Sequence, residues 1–477
     1  GVMAGFCQAG GVGLCMAEWM IDGEPSIDVW AMDVARFGSF ATPQWGTVKS
    51  TENYERRFVM TFPNETLPKG RRQKTTALDD RLSAKGAVWG QGFGLEHALW
   101  FADGPGDAHE QPTFARSRSH AYVGREVRAV REAVGAIEIA NFSKHAVSGP
   151  GARAFLDRVL AGRIPAPGRI ALSPMLTPKG RLYGDLTVAC LGDEDFMIFG
   201  SGAMQEAHRR WFERWLPGSG VEYRNATDEW HGIAISGPRS RELLSALVRE
   251  DVSNAALPFM AIRRGFVAGV PAILARISFS GELGYEIYVP PAYQLRLAEA
   301  VEEAGAALGL RWYGARALMS LRLEKGWGVW TLDYRPDFTP AESGLDAFIR
   351  WDKDFIGREA ALAARGNTPA RRLVVLTVES DVDVCGDEAI LAGDEAVGYV
   401  SSGGYAHHAA RSVAFAYVAS AHAEPGTVLA IEISGTRRAA TMLGEPLHDP
   451  GGARMRSWAK DDVPEGDPRD ERNVGLV

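Results

Sequence analysis

The first residues whose spacing suggests chemistry are Gln8-Ala9-Gly10-Gly11-Val12-Gly13. They read as a glycine turn between a short apolar strand and a helix over about Val12–Ile21, where Leu14, Ala17, Met20 and Ile21 recur at helical spacing. Such a turn aims unpaired backbone N–H groups and a positive helix end at an anion. The same glycines would serve any tight strand-to-helix turn. Glu138 is a carboxylate beside a predicted strand, able to act as a base or simply to face solvent. Glu282 sits in a hairpin turn between Gly281 and Gly284. Arg322 and Glu324 are two apart on a helix predicted over 314–325, so they cannot share a face, and Glu324 can pair with a neighbour. His407-His408 is the only histidine pair, and adjacent residues on a strand or loop point apart, so no metal is expected there.

The elements around these residues follow from their patterns. Asp22-Gly23-Glu24-Pro25 should stop the first helix through a left-handed glycine cap. Residues 39–130 read as a linking domain without chemistry of its own, with Arg71-Arg72-Gln73-Lys74 in a solvated loop. From 131 the pattern is regular. Glu138–Phe142 leads to Val147–Gly151, with Pro150 in a first helical turn, Ser148 as its cap, and Ala154, Phe155, Val159 and Leu160 on the apolar face. Pro174–Arg181 reads as a hairpin turn. After it Leu182, Gly184, Leu186 and Val188 alternate with Tyr183, Asp185 and Thr187. Helices near 203–216 and 238–249 and strands near 271–280 and 284–289 complete an α+β sheet domain over 131–365. Residues 366–450 carry strands at 373–378, 397–400, 413–418 and 428–433, the spacing of a small antiparallel β-barrel. Residues 451–477 are polar and read as a mobile tail.

Composition removes several classes. A chain of 477 residues predicts two to four domains, and 46% hydrophobic with 23% charged residues is ordinary for a globular protein. Net charge is −8 with no basic block, which argues against nucleic acid as a partner. No apolar run reaches the roughly 18 residues of a membrane span. Cys7, Cys15, Cys190 and Cys385 form no Cys-x-x-Cys pair, so neither a disulfide framework nor a zinc site is expected, and a reducing compartment fits. The opening Gly1-Val2-Met3-Ala4-Gly5 reads like the middle of a domain.

Three segments carry a family resemblance: Ser278-Phe279-Ser280-Gly281-Glu282-Leu283-Gly284-Tyr285-Glu286-Ile287, Ala315 to Gly326 (Ala-Arg-Ala-Leu-Met-Ser-Leu-Arg-Leu-Glu-Lys-Gly), and Phe355-Ile356-Gly357-Arg358-Glu359-Ala360. In this order they resemble the aminomethyltransferases, the glycine-cleavage T proteins and their relatives. Residues 1–130 resemble the dimethylglycine and sarcosine dehydrogenases, in which a flavin domain precedes a T-protein-like half. Phe6–Gly13 looks like the last turn of that flavin domain, and residues 24–38 like its exit, so 1–38 is expected to be the truncated end of an FAD-dependent oxidoreductase domain. No Gly-x-Gly-x-x-Gly opens a first strand, so the chain as given is expected to hold flavin poorly.

The resemblance implies the chemistry. The flavin half of such enzymes takes a hydride from an N-methyl group, and the folate half captures the resulting iminium carbon on a tetrahydrofolate nitrogen, forming 5,10-methylenetetrahydrofolate. Glu138 aligns with the family's catalytic aspartate, one methylene longer. Glu282 matches the pterin-gripping glutamate, with Tyr285 beside it. Met175, Leu176 and Tyr183 resemble the hairpin lining the pterin, although Met175, Leu176 and Tyr285 could equally be core. Arg316 or Arg322 would attract the glutamate tail of folate. Gln8, Gly10 and Gly11 would be a remnant of the FAD wall. The implied partners are a small methylated amine, an electron-transfer flavoprotein or oxygen, and other subunits of an oligomer. The implied setting is cytoplasm, or the mitochondrial matrix in a eukaryote. A free-standing glycine-cleavage aminomethyltransferase and a folate-binding module without catalysis are the alternatives.

Overall fold

The computed structural model describes residues 5–218 and 220–456. Its body is built on two sheets. The first runs, in spatial order, Ile262–Val267, Val270–Ala275, Gly284–Val289, His231–Ser236, Val134–Glu138 and Leu310–Trp312. Only the last pair is parallel. Strands 231–236 and 284–289 lie at its centre and are buried on both faces. Ile233, Ile235, Tyr285, Ile287 and Val289 pack under helices Ser240–Leu247 and Gln294–Gly305. Ala234 and Tyr288 face a second core formed with helices Ser119–Glu132 and Ala315–Glu324. The second sheet runs Ile170–Leu176, Leu182–Gly192, Asp195–Gly200, Ser143–Ser148 and Glu222–Asn225, all antiparallel. Helices Ala152–Val159 and Gln205–Trp215 cover it.

Residues 371–442 close into a six-stranded antiparallel barrel, as the spacing of strands predicts. Two short strands outside that reading, Ala389–Ala392 and Thr436–Met442, complete it. The second pairs back onto Arg371–Val378 and leaves no open edge.

Four expectations change. Residues 78–130 are not a separate linking unit: Leu78, Leu82, Ala87, Ala98 and Phe101 share one core with Val134 and Ile233. The apolar faces of that segment need the first sheet to be buried. Residues Phe6–Asp22 form one continuous helix rather than strand, turn and helix. A Cβ at Gly10, Gly11 or Gly13 would meet nothing within 4 Å, so no close approach there demands a turn, and the backbone satisfies itself helically. The predicted stop is present: Gly23 has φ 82° and donates its N–H to Trp19 O at 3.1 Å. Helix 152–159 starts from Gly151, φ 96°, without a side-chain cap from Ser148, and Ala154 points outward. In the expected tail, Ala453–Arg456 forms a helical turn folded onto the body, while 457–477 lies outside the described residues. No helix among the described residues is long and apolar enough to cross a membrane.

Candidate functional site

The turn 278–284 is wound tightly. Ser278 and Ser280 share a hydroxyl hydrogen bond of 2.8 Å, and Ser280 Oγ accepts from Glu282 N–H at 3.3 Å. Gly281 has φ 79°, which favours glycine. A Cβ on Gly284 would stand 2.8 Å from Ser278 Cβ. The result is that Glu282 turns inward and is fully buried.

A buried carboxylate needs donors and positive charge. Helix 119–132 supplies the first. Its inward stripe of Val123, Val127, Val130 and Arg131 carries the arginine at its end, and Arg131 Nη1 donates to Glu282 Oε1 at 3.0 Å and to Ser280 O at 2.9 Å. Arg131 Nη2 donates to Glu324 Oε2 at 2.7 Å, so one guanidinium bridges two buried carboxylates. Glu324 Oε1 also accepts from the backbone of His408 at 2.7 Å. His448 Nε2 lies 2.8 Å from Glu282 Oε1, and Arg454 Nη1 lies 3.1 Å from both carboxylate oxygens. Burial alone would raise the Glu282 pKa. The His448 hydrogen bond and the charges of Arg131 and Arg454 outweigh it and hold the carboxyl below its ordinary value.

Helix 315–324 carries a second centre on its other side. Arg322, fully buried, donates from Nη1 to Asp333 Oδ2 at 2.9 Å and from Nη2 to Ser402 Oγ at 2.9 Å, with its guanidinium 5.1 Å from the Phe415 ring centre. Asp333 accepts further from Ser401 Oγ at 2.5 Å, Ser402 Oγ at 2.7 Å and Val329 N–H at 2.9 Å. Arg322 and Glu324 thus point to different sides, as their two-residue separation predicts. Asp333 and Tyr334 in turn lie close to Asp185 on strand 182–192. Burial, with a smaller push from the Asp333 charge, raises the Asp185 carboxyl to about 7. Asp185 has no ion-pair partner among the described residues. Its neighbour Tyr183 stacks against Trp211 at 4.5 Å, and Leu176 and Leu182 pack with Trp330.

Asp185 is the residue that reading the sequence missed. Alternation placed it with Tyr183 and Thr187 on the polar face of a strand. The available signal was that it is the only carboxylate on that face directly after the 174–181 hairpin.

Several expected site residues are elsewhere. Glu138 pairs with Ile233, whereas Gly135 and Gly284 both pair with Ser236, so Glu138 lies about 10 Å farther along the sheet from the Glu282 turn. It accepts from Gln294 Nε2 at 2.5 Å, and burial raises its pKa to about 7. Tyr285 is in the core with its hydroxyl on Arg241, and Met175 packs with Leu186 and Phe212. Arg322 is enclosed by protein and cannot reach a ligand's tail. Arg316 pairs with Glu110 at 2.7 Å and Ser119 Oγ at 2.7 Å, about 12 Å along the helix from Glu324. Gln8, Gly10 and Gly11 are exposed on the continuous first helix.

Residues 78–353 match the GCVT N-terminal domain, 371–449 the glycine cleavage T-protein C-terminal barrel domain, and 22–76 the FAD dependent oxidoreductase central domain. The chain is similar to mouse mitochondrial dimethylglycine dehydrogenase, 34% identical over 96% of this chain and 53% of that protein. It is similar to an aminomethyltransferase of Streptomyces avermitilis, 31% identical over 67% of this chain and 88% of the relative. The crystal structure of the Bartonella henselae glycine cleavage system aminomethyltransferase T shares the fold, with a TM-score of 0.69 and 24% identity over 78% of this chain and 98% of that one. The chain spans about half the length of the mouse dehydrogenase it matches.

Proposed function

The chain belongs to the glycine-cleavage T-protein family, and from that premise we propose that it is the tetrahydrofolate-dependent one-carbon transfer half of an oxidative N-demethylase acting on dimethylglycine, sarcosine or a similar methylated amine. Tetrahydrofolate and FAD are the cofactors that fit this family. The observation that carries the reading is one helix, 315–324, whose Glu324 shares Arg131 with the buried, ionised Glu282 and whose Arg322 pairs with Asp333, the charge that with burial raises the Asp185 carboxyl to about 7.

Their chemistry suits the task. Glu282, ionised and acceptor-only, fits the paired N–H donors of an aminopyrimidine edge. Bound tetrahydrofolate supplies the nitrogen nucleophile that captures the iminium carbon. Asp185, poised near 7, takes up the proton which that nitrogen loses. The aromatic surroundings of Trp211 and Trp330 keep water from the same carbon. Glu138 has no place in this step. The products are 5,10-methylenetetrahydrofolate and the demethylated amine. The methylated amine, an electron-transfer flavoprotein or oxygen, and further subunits belong to the longer enzyme, working in the cytoplasm or, in a eukaryote, in the mitochondrial matrix. The central-domain match over 22–76 favours this reading over a free-standing aminomethyltransferase.

The test joins this chain to a flavin half and supplies dimethylglycine with and without tetrahydrofolate. Free formaldehyde should fall sharply when folate is present. Equal release in both conditions removes the transfer assignment.

A further inference from the structure

The segment 22–36 lies outside the residues that match the GCVT N-terminal domain, yet it packs against the 174–181 hairpin and the strand that carries Asp185. Ala35 is buried in one core with Leu176, Leu182 and Trp330, and Trp30 packs against that core. The hairpin turn is pinned from the same side. Lys179 N–H donates to the Glu24 carboxylate at 3.2 Å, Lys179 Nζ pairs with Asp22 at 3.2 Å, and Arg181 Nη1 donates to Ser26 O. The apolar contacts are non-directional and tolerate small shifts. The polar ones fix an orientation.

Asp33 makes the polar contact that reaches furthest. Its Oδ1 caps the short turn Val34–Arg36, accepting Ala35 N–H at 2.9 Å. Both of its oxygens also meet the guanidinium of Arg210 on helix 205–215, Nη1 donating to Oδ1 at 3.2 Å and Nη2 to Oδ2. This is a fork of two N–H bonds, the geometry that orients a guanidinium best. Asp33 is buried, so its charge needs that partner. Arg210 in turn hydrogen-bonds the Tyr183 hydroxyl. Tyr183 is held at two further points. Its ring lies 4.5 Å from that of Trp211, and its carbonyl accepts from His208 Nε2 at 3.0 Å. His208, Arg210 and Trp211 share one helix, which thus grips Tyr183 by backbone, hydroxyl and ring. Tyr183 and Asp185 are two apart on strand 182–192, so they lie on one face of it.

We infer that Asp33 is a positioning residue of the one-carbon site: by fixing the Arg210 guanidinium it fixes Tyr183, and with it the face of strand 182–192 that presents Asp185. The inference rests on the reading that Tyr183 and Trp211 border the place where tetrahydrofolate binds. The segment matched to the FAD dependent oxidoreductase central domain then does more than connect. It completes a site whose other walls lie within the T-protein match. The direction of the effect follows from the charges. Without the Asp33 carboxylate, Arg210 stays positive and loses the fork that aims it. Its side chain is 43% exposed, so it turns toward water and releases the Tyr183 hydroxyl. Tyr183 gains freedom that a ligand must freeze again on binding.

The experiment titrates tetrahydrofolate, kept anaerobic, into the wild-type chain and its variants, reading tryptophan fluorescence, with a denaturant midpoint measured for each. Asp33→Asn keeps an oxygen to cap Val34–Arg36 and removes the charge that faces Arg210. It should weaken binding roughly three- to tenfold, the cost of ordering one released side chain. In an Arg210→Met background the same change should have no further effect on affinity, because the two residues act as one unit. Asp33→Glu restores the charge and should recover most of the lost affinity. A lowered midpoint with unchanged affinity makes Asp33 merely structural and overturns the inference. An additive cycle overturns it too, as does an equal loss in Asp33→Asn and Asp33→Glu. Where Asp33→Asn does not fold, Asp33→Ser, which also keeps a capping oxygen, takes its place. Tyr183→Ala separates the two levels. If it binds folate as the wild type does, the reading of Tyr183 as a border of the site fails and takes the inference with it. If it weakens binding while Asp33→Asn does not, the inference alone fails.

Discussion

The Arg322–Asp333 centre and the Arg131–Glu282 centre are both buried arginine–carboxylate pairs, yet they are built for different ends. At Asp333 the contacts come from protein groups: Arg322 Nη1, the hydroxyls of Ser401 and Ser402, and Val329 N–H, with Phe415 over the guanidinium. Neither partner is exposed. At Glu282 the partners are Arg131, His448 and Arg454, and the Arg454 side chain is 37% exposed. An enclosed pair is a brace, since replacing either charged member leaves a buried unpaired charge. Glu282 has one partner that reaches the protein surface, and Asp333 has none.

The largest effect should come from breaking the brace. Asp333→Ala leaves Arg322 buried without its counter-charge and should cost about 3–5 kcal/mol, seen as a lowered denaturant midpoint. A loss below about 1 kcal/mol would put the two centres on the same footing. Glu282→Gln keeps the shape and one acceptor. It should destabilise less than Asp333→Ala while weakening folate binding roughly tenfold or more, from the loss of a charge-assisted pair worth about 1.5–3 kcal/mol. Equal stability losses in the two variants would erase the distinction.

Asp185 connects the brace to the chemistry through pH. Its carboxyl titrates near 7, well above the usual value of about 4. As base it acts only when ionised, so capture of the one-carbon unit by the joined enzyme should rise with pH through about 7, and free formaldehyde should increase as pH falls below it. The stability term runs the opposite way. A raised carboxylate pKa favours the protonated fold, so its contribution is present at low pH and is lost as pH rises from about 4 to about 7. Asp185→Asn should flatten the pH dependence of capture; a profile that keeps its inflection near 7 assigns that inflection to another group. The smallest effect is expected at Tyr285→Phe, which loses one hydroxyl contact to Arg241, about 1 kcal/mol, with folate affinity unchanged. A large change in affinity would return Tyr285 to the site.

Much of this was legible in the sequence, for physical reasons that differ by residue. The 314–325 helix, the Glu282 turn and the barrel rest on local periodicity and glycine chemistry, which the chain states directly. Glu324 was expected to pair with a neighbour, and it does. What local pattern could not convey was which end of a sheet a residue occupies. Glu138 was placed by its alignment with the family's aspartate, and strand register moves it away from the Glu282 turn. Asp185 was read only as one of the residues alternating with the apolar set, and alternation does not show what covers a face. The covering residues, 330 to 334, come from about 150 positions later. The glycines at 10, 11 and 13 fit a turn or a helix equally well, and only the absence of packing against them decides.

The helix 315–324 has one further consequence. Ser320 donates its hydroxyl to Tyr405 O at 2.8 Å and accepts His407 N–H at 3.1 Å, which keys the helix to a barrel strand at a fixed angle. Arg322 and Glu324 then behave as two teeth cut on one shaft. A rotation of the helix would move both contacts together, Glu324 on Arg131 and Arg322 on Asp333, so the barrel that sets its angle acts on both. Redesign of either function therefore starts at the barrel, by choosing the angle first.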